Sequence, residues 1–217
     1  MGLIMKKDKL VTVDFWNTIY DSSEGNARNK FRLKALVEEI DSLGMYVSGE
    51  QFAAVQSDSW EYFNRLWKEQ MHTPSPRDTV QFFWDRLGLP ENETSIDRVT
   101  KAFSESVLHY PPSLLPGIEE ALSRLSENYH LAIISDTGFS PGVVLRELLE
   151  KGNILKYFSA FSFSDETGVA KPHPKAFRTV LDELDIRAEN ALHIGDIEHT
   201  DINGAKTIGM KAIRFSG

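Results

Sequence analysis

Four separated segments of the sequence carry polar side chains that could share a cation site. Asp14 and Ser135 each end a short apolar run, Lys171 lies in a later loop, and Asp196 and Asp201 follow another apolar run. Carboxylates that lie close together repel one another, and their pKa values shift unless a cation lies among them. Their oxygens are hard ligands of the kind that Mg²⁺ prefers. Taken alone, Asp14 could equally cap the segment after it.

Alternating apolar and amphipathic segments predict the sheet that would position these side chains. The strands are predicted at residues 11–13, 131–134, 161–163, 191–194 and 211–215. The helices between them are predicted at residues 118–125, 141–151, 174–184 and 202–208. Such alternation is typical of an α/β fold, a parallel sheet with helices on both faces. Because right-handed crossovers bring the carboxyl ends of parallel strands to one edge, we expect the polar groups to meet there.

Four more helices are predicted between the first strand and the second, which favours an inserted antiparallel bundle. Ser48 and Gln51 are spaced as a capping box at the start of the second of these helices. Three of the four tryptophans lie in this insertion, where they form its core unless one or two of them line a substrate pocket. We therefore expect a core of residues 1–20 and 112–217 and an inserted helical domain of residues 21–111.

Composition excludes several classes of function. The formal charge of −8 and the lack of a basic cluster beyond Lys6 and Lys7 argue against a nucleic-acid surface. No apolar stretch approaches the roughly 20 residues that a membrane helix needs, and the N-terminus lacks the features of a signal peptide. Because the chain has no cysteine, a reducing compartment suits it, and we expect a cytoplasmic protein, either a monomer or a homodimer.

The four segments resemble, in order, the motifs of the haloacid dehalogenase superfamily. Asp14-Phe15-Trp16-Asn17-Thr18 resembles the first motif, Asp-x-Asp-x-Thr, and Ser135 resembles the second, an apolar strand that ends in a hydroxyl residue. Lys171-Pro172 resembles the third motif, and Gly195-Asp196 with Asp201 resembles the fourth. The resemblance covers the whole chain and implies a Rossmann-like core under a helical cap that closes over the site.

The resemblance also implies a phosphatase that acts on a small phosphorylated metabolite. In that reaction Asp14 attacks phosphorus and becomes an aspartyl phosphate, while charge neutralisation and positioning supply most of the catalysis. Ser135 would bind a phosphate oxygen, Lys171 would pair with Asp14 and the phosphoryl group, and Thr18 would orient the motif loop. The implied substrate-binding residues are Ser135, Asp136, Lys171, Trp16 and Asn17.

The metal site that the resemblance implies holds Mg²⁺. Its ligands would be Asp14, Asp196 and the main-chain carbonyl of Trp16, with Asp201 holding the metal or its waters. Metal binding would tolerate any residue at position 16, since every residue has a carbonyl.

Trp16 departs from the phosphatase pattern, in which an Asp at this position protonates the leaving oxygen. Such general acid–base catalysis contributes about 10²–10⁴ in rate. Three alternatives therefore stay open. The first is a 2-haloacid dehalogenase, which carries an aromatic residue there. The second is a phosphonate hydrolase with a lysine in the inserted helices, and its candidates are Lys30, Lys34, Lys68 and Lys101. The third is a catalytically weak protein that binds a phosphorylated ligand or a partner.

The histidines near the motifs are expected to have structural roles or to face solvent more often than to contact a substrate. His173 and His199 flank the third and fourth motifs and are expected to face solvent more often than a substrate. His193 lies within a predicted strand, which favours a buried histidine with its hydrogen bonds satisfied. Asp136 could either contact the pocket or cap the next turn.

Overall fold

The computed structural model describes residues 8–216. The prediction that the N-terminus lacks the features of a signal peptide concerns Met1–Lys7, which lie outside the described residues. Its sheet has five parallel strands in the order β3-β2-β1-β4-β5. The strands are β1 (Leu10–Val13), β2 (His130–Ser135), β3 (Ala160–Phe163), β4 (Ala191–Gly195) and β5 (Lys211–Arg214). The predicted α/β class and parallel sheet are confirmed, although β5 ends one residue before the predicted Phe215.

The first strand lies at the centre of the sheet, between β2 and β4. Val11 and Val13 pack into the apolar core on one face, and Leu10 packs into the core on the other face. β2 alternates in the same way, with Ile133 on the first face and Ile134 on the second. Burial on both faces explains why these strands are almost continuously apolar.

Nine α-helices lie among residues 8–216, and the first four fall between β1 and β2. These four are α1 (Gly25–Ser42), α2 (Gly49–Gln70), α3 (Pro76–Arg86) and α4 (Glu93–His109), which we call the helical insert. The other five are α5 (Ile118–Ser126), α6 (Gly142–Lys151), α7 (Ser164–Thr167), α8 (Pro174–Leu184) and α9 (Asn203–Thr207). The short α7 has no counterpart among the predicted helices. A π-helical turn, Glu198–Ile202, precedes α9 and overlaps the predicted helix of residues 202–208 only at Ile202.

Helix starts follow the predicted signals closely. Ser48 accepts a hydrogen bond from the backbone N–H of Gln51, and the Gln51 side chain accepts one from the backbone N–H of Ser48, so the predicted capping box is confirmed. The fourth helix begins at Glu93, where the Asn92 side chain accepts a hydrogen bond from the Ser95 backbone N–H and caps the helix.

The helical insert has an apolar core of its own, which includes Trp84 together with buried residues of all four helices. Phe139, from the loop after β2, packs against this core and so joins the sheet edge to the insert. Polar contacts cross the same boundary. Thr73 and Ser164 share a hydrogen bond of 2.5 Å between their hydroxyls. No helix among residues 8–216 combines the length and the apolar character that crossing a bilayer requires.

Candidate active site

Side chains from three neighbouring strands and two loops meet at the carboxyl edge of the sheet. Asp14 follows β1, Ser135 ends β2 and Asp196 follows β4, while Lys171 and Asp201 come from the loop before α8 and the π-helical turn. Carboxylate oxygens of Asp14, Asp196 and Asp201 all lie within 4.8 Å of one another. The expected convergence of the four segments is therefore present.

Lys171 is the cation at the centre of this cluster. Its side chain is buried, and its Nζ lies 2.5 Å from Oδ1 of Asp14 and 2.5 Å from Oδ1 of Asp201. Burial alone would lower the pKa of Lys171, but the facing carboxylates outweigh burial and raise the pKa above its ordinary value. The ammonium is therefore charged at neutral pH.

Burial shifts the Asp14 carboxylate toward its neutral form. Its burial raises its pKa to about 7, against the opposing effect of Lys171, and the neighbouring Asp201 adds to the increase. An additional cation would favour the ionised carboxylate, which is the form that can attack an electrophile.

Asp201 is held by three groups and is fully buried. Besides Lys171, the His193 ring bonds to it through Nε2 at 3.2 Å, and the Ile197 backbone N–H donates to it at 2.9 Å. Lys171 and His193 outweigh burial and hold the pKa of Asp201 well below its usual range. Gly195 permits this close packing, because a Cβ there would lie 2.4 Å from the Asp201 carboxyl carbon.

His193 supports Asp201 from within β4 and is fully buried. Its Nδ1 lies 2.8 Å from the hydroxyl oxygen of Thr12, so both ring nitrogens have a partner. The structural interpretation of this histidine is confirmed.

The donor set of the cluster fits a divalent cation. Four carboxylates lie at this edge, those of Asp14, Asp136, Asp196 and Asp201, while Lys171 is the ammonium placed among them. A hard cation with several oxygen ligands would balance this excess of negative charge. These carboxylates can hold a metal ion, and Trp16 lies in the same cavity wall.

Two hydroxyls of the motif segments are buried without a hydrogen-bond partner, Thr18 Oγ1 and Ser135 Oγ. Ser135 lines the cavity, so its hydroxyl is available to a bound ligand. The Thr18 side chain bonds to no described residue. The motif loop is instead held by backbone bonds from Ile19 and Tyr20 to the Phe15 carbonyl. Asn17, with φ of 54°, directs its amide toward Asp196 at 3.3 Å.

A cavity of about 520 Å³ lies between the acid cluster and the helical insert. Trp60 and Trp67 of α2 line it, so two of the three tryptophans of the insert border the cavity and one, Trp84, lies in the core. Asp136 also lines it, and accepts hydrogen bonds from Trp67 Nε1 at 2.8 Å and from the Lys171 backbone N–H at 2.9 Å. Asp136 therefore faces the pocket.

Arg28 and Arg32 are the cavity residues that the sequence analysis missed. Both lie on the inner side of α1, are buried, and line the cavity. Their spacing continues toward Leu36 and Ile40 at four-residue intervals, along the buried stripe of the helix. Two arginines at inward positions of an amphipathic helix were the available signal.

Other candidates lie away from the cavity. His199 is exposed, and the His173 ring caps α8 by accepting from the Lys175 backbone N–H. The four lysines considered for a phosphonate hydrolase, Lys30, Lys34, Lys68 and Lys101, are all exposed.

Comparisons with known proteins agree with this geometry. The family described as haloacid dehalogenase-like hydrolase matches residues 9–209. A glyceraldehyde 3-phosphate phosphatase of Pyrococcus abyssi is 36% identical over 131 residues, which are 60% of this chain and 53% of that protein. A ribulose-1,5-bisphosphate 5-phosphatase of Halopiger xanaduensis is 28% identical over 222 residues, which cover 94% of this chain and 83% of that protein.

Solved structures share the fold. A 2-haloacid dehalogenase from Pseudomonas syringae matches with a TM-score of 0.72 and 24% identity, covering 95% of this chain and 86% of that one. A phosphatase from Thermococcus onnurineus matches with a TM-score of 0.63 and 22% identity, over 96% and 86% of the two chains. The matched part of this chain spans about half the length of the Pyrococcus abyssi relative, 53%.

Proposed function

We propose that this chain, which belongs to the haloacid dehalogenase-like hydrolase family, is a Mg²⁺-dependent phosphatase that acts on a small phosphorylated metabolite. The observation that carries the proposal is the position of Asp14, which is ion-paired to Lys171 inside a cluster of three carboxylates and borders a cavity. The relatives named as phosphatases of phosphorylated sugars support the class of substrate.

Asp14 is the proposed nucleophile. Its carboxylate would form a bond to phosphorus as the ester oxygen leaves, and water would then hydrolyse the aspartyl phosphate. Lys171 keeps Asp14 in place through their 2.5 Å contact and would also neutralise a phosphoryl oxygen. The unpartnered Ser135 hydroxyl would donate to another phosphoryl oxygen. The role of orienting the loop that carries Asp14, which the sequence analysis gave to Thr18, goes instead to the backbone bonds of Ile19 and Tyr20 to the Phe15 carbonyl, because the Thr18 hydroxyl has no partner among the described residues.

The proposed ligands of Mg²⁺ are Asp14, Asp196 and the Trp16 carbonyl, with Asp201 holding the metal or its waters. When bound, the metal neutralises negative charge so that a dianionic phosphate can approach a carboxylate. The proposed substrate contacts add Asp136, Trp16 and Asn17, which all line the cavity.

Trp16 imposes a limit on this chemistry. Its half-buried ring lines the cavity and lies 5.1 Å from the Phe15 ring, at the position where a phosphatase of this type has its proton donor. Since indole donates no proton at neutral pH, the leaving oxygen must be a weak base or must take its proton from water. We therefore expect acyl and aryl phosphates to react faster than alkyl phosphates.

The helical insert would act as the cap of this site. We assign residues 21–111 to the cap and residues 1–20 and 112–217 to the catalytic core. Support comes from the separate apolar core of the insert and from the cavity at its boundary with the sheet edge. Closure would exclude water from the phosphoryl group.

Phosphate release from an aryl phosphate, with and without Mg²⁺, tests the proposal. We expect release only with Mg²⁺, reversal by a chelator, and a loss of at least about 10⁴-fold in kcat for Asp14→Asn. Asp165→Asn is the control, because it replaces a carboxylate of α7 that accepts from the Gly142 backbone N–H and does not line the cavity. Unchanged release by Asp14→Asn would contradict the proposal.

A metal-independent 2-haloacid dehalogenase is the second candidate, and Trp16 is the observation that favours it. Against it, Asp196 and Asp201 leave a surplus of negative charge that would oppose an anionic haloacid without a metal. Halide release from 2-chloropropanoate in the presence of a chelator would identify this activity, and its absence together with Mg²⁺-dependent phosphate release would exclude it.

A further inference from the structure

Arg32 is a buried cation on the wall that the helical insert contributes to the cavity. Arg32 is only 8% exposed, and it lines the cavity. Its Nε donates to Ser106 Oγ at 2.8 Å, with a longer contact to the Phe103 carbonyl at 3.4 Å. Its guanidinium carbon lies 4.4 Å from the centroid of the Phe139 ring. These contacts fix the side chain and leave its two terminal nitrogens without an acceptor among residues 8–216.

The charge of Arg32 is uncompensated. Among the described residues, no carboxylate lies within salt-bridge distance of it, and burial lowers its pKa to about 9 with further repulsion from Arg28. Arg28 differs, because Asp21 and Glu24 lie close enough to oppose the effect of its burial, and its Nη1 donates to the Tyr110 carbonyl. An isolated buried cation is costly unless it is paired. Arg32 is therefore the group on this wall that lacks a counter-ion.

The walls of the cavity include two regions of opposite charge. The acid cluster with Lys171 lies at the sheet edge, and Arg32 lies on α1. Aromatic rings also line the cavity, including Trp60, Trp67 and Phe63. A ligand that spans the cavity would place one end at the acids and their metal and its other end near a guanidinium, with apolar walls along its middle.

We propose that Arg32 binds a second anionic group on the substrate, so that the substrate is a phosphoester whose alcohol part carries a carboxylate or another phosphate. The inference rests on the proposed phosphatase function for the other end of the molecule. Guanidinium binds both anions in a bidentate way, and such charge-assisted bonds contribute about 1.5–3 kcal/mol, which corresponds to about 10–100-fold in affinity. Neutral phosphoesters of the same length would lack this contact.

Binding of unreactive phosphonates measures this preference without turnover. The probes are phosphonates with two to four methylenes that end in a carboxylate, the corresponding carboxamides, and bisphosphonates of the same lengths. Isothermal titration calorimetry in Mg²⁺ buffer gives their dissociation constants. We expect the best anionic probe to bind at least about 10-fold tighter than its carboxamide to the unmodified protein. Whether the carboxylate or the second phosphonate gives the greater gain identifies the anion.

Arg32→Gln should reduce this ratio to about 2-fold or less, and Arg32→Lys should keep part of it, since lysine retains the charge but loses the bidentate geometry. Arg65→Gln, which removes an exposed arginine of α2 outside the cavity, is the control and should keep the full ratio. A ratio below about 2 at every length in the unmodified protein, or an unchanged ratio in Arg32→Gln, overturns the proposal.

The same probes separate this inference from the phosphatase function. If the anionic phosphonates bind preferentially through Arg32 but the matching phosphate esters release no phosphate, the proposed function fails and the anion site stands. If the esters are hydrolysed equally well with and without the second anion, and the phosphonates show no preference, the anion site fails and the phosphatase function stands.

Discussion

The indole Nε1 of Trp67 donates a 2.8 Å hydrogen bond to Asp136 Oδ2, which joins the helical insert to the edge of the sheet. The other carboxylate oxygen of Asp136 accepts from the backbone N–H of Lys171. One carboxylate therefore links the insert to the residue that positions Asp14.

Trp67→Phe removes the indole donor while keeping most of the aromatic surface. We expect a loss of about 1 kcal/mol in the free energy of unfolding, or about 2–4 °C in Tm for a chain of this size. Thermal unfolding followed by circular dichroism measures it. Trp60→Phe is the control, since the Trp60 indole makes no hydrogen bond with a described residue. An equal change in the two variants would contradict the assigned role of the bond.

Gly195→Ala should displace Asp201, because the new Cβ would lie 2.4 Å from its carboxyl carbon. A displacement of about 1 Å in a positioned group can cost on the order of 10²-fold in rate. We expect kcat to fall by that order and the Mg²⁺ concentration for half-maximal activity to rise. Gly49→Ala, at a position where a Cβ meets no atom within 4 Å, should change neither value. Unaltered kcat in Gly195→Ala would show that the position of Asp201 is not critical.

Trp16→Asp should supply the missing proton donor. If the leaving oxygen limits the reaction, kcat on an alkyl phosphate should rise by about 10²-fold or more, and kcat on an aryl phosphate should rise much less. Trp16→Asn introduces a side chain of nearly the same shape as the one in Trp16→Asp but without an acidic proton. Its kcat on the alkyl phosphate should therefore not rise selectively. Equal behaviour of the two variants on alkyl phosphates would mean that proton donation at this position is not limiting.

His193 should make the stability of the protein depend on pH below neutrality. Burial lowers the pKa of His193 from its ordinary value of 6.5, with Lys171 also opposing protonation and Asp201 favouring it only in part. As the pH falls through about 6.5, His193 therefore binds a proton in the unfolded chain but stays neutral in the folded protein. The stabilisation is full above that pH and decreases below it, by at most about 1.4 kcal/mol per pH unit.

Chemical denaturation at several values between pH 7.5 and pH 5.5 measures this slope. The raised pKa of Asp14 adds a pH dependence of opposite sign to both proteins, so the difference in stability between the unmodified protein and His193→Gln isolates this residue, and it should shift against the unmodified protein as the pH falls from 7.5 to 5.5. The exposed His199 provides the control, and His199→Gln should keep the original slope. Parallel curves for the unmodified protein and His193→Gln would refute the prediction.

The sequence by itself determined the parallel sheet and the meeting of its polar strand ends. Buried strands must be apolar on both faces, and parallel strands must end at one edge, so Asp14, Ser135 and Asp196 could be placed together from their positions after apolar runs. The start of the second helix of the insert could be predicted as well, because the capping box at Ser48 needs only two residues three positions apart. Local signals of this kind do not depend on the rest of the fold.

The tertiary structure alone decided what lies opposite the acids. The four-residue spacing of Arg32 with Leu36 places it on the buried stripe of α1, but only the docking of the insert shows that this stripe reaches the cavity that Asp14 also lines. The bond between Trp67 and Asp136, which are 69 residues apart, and the packing of Phe139 on the core of the insert likewise join separate segments of the chain. Ion pairs, ring stacking and hydrogen bonds between such segments depend on how the insert packs against the sheet edge. The residue pattern of either segment alone does not predict that packing.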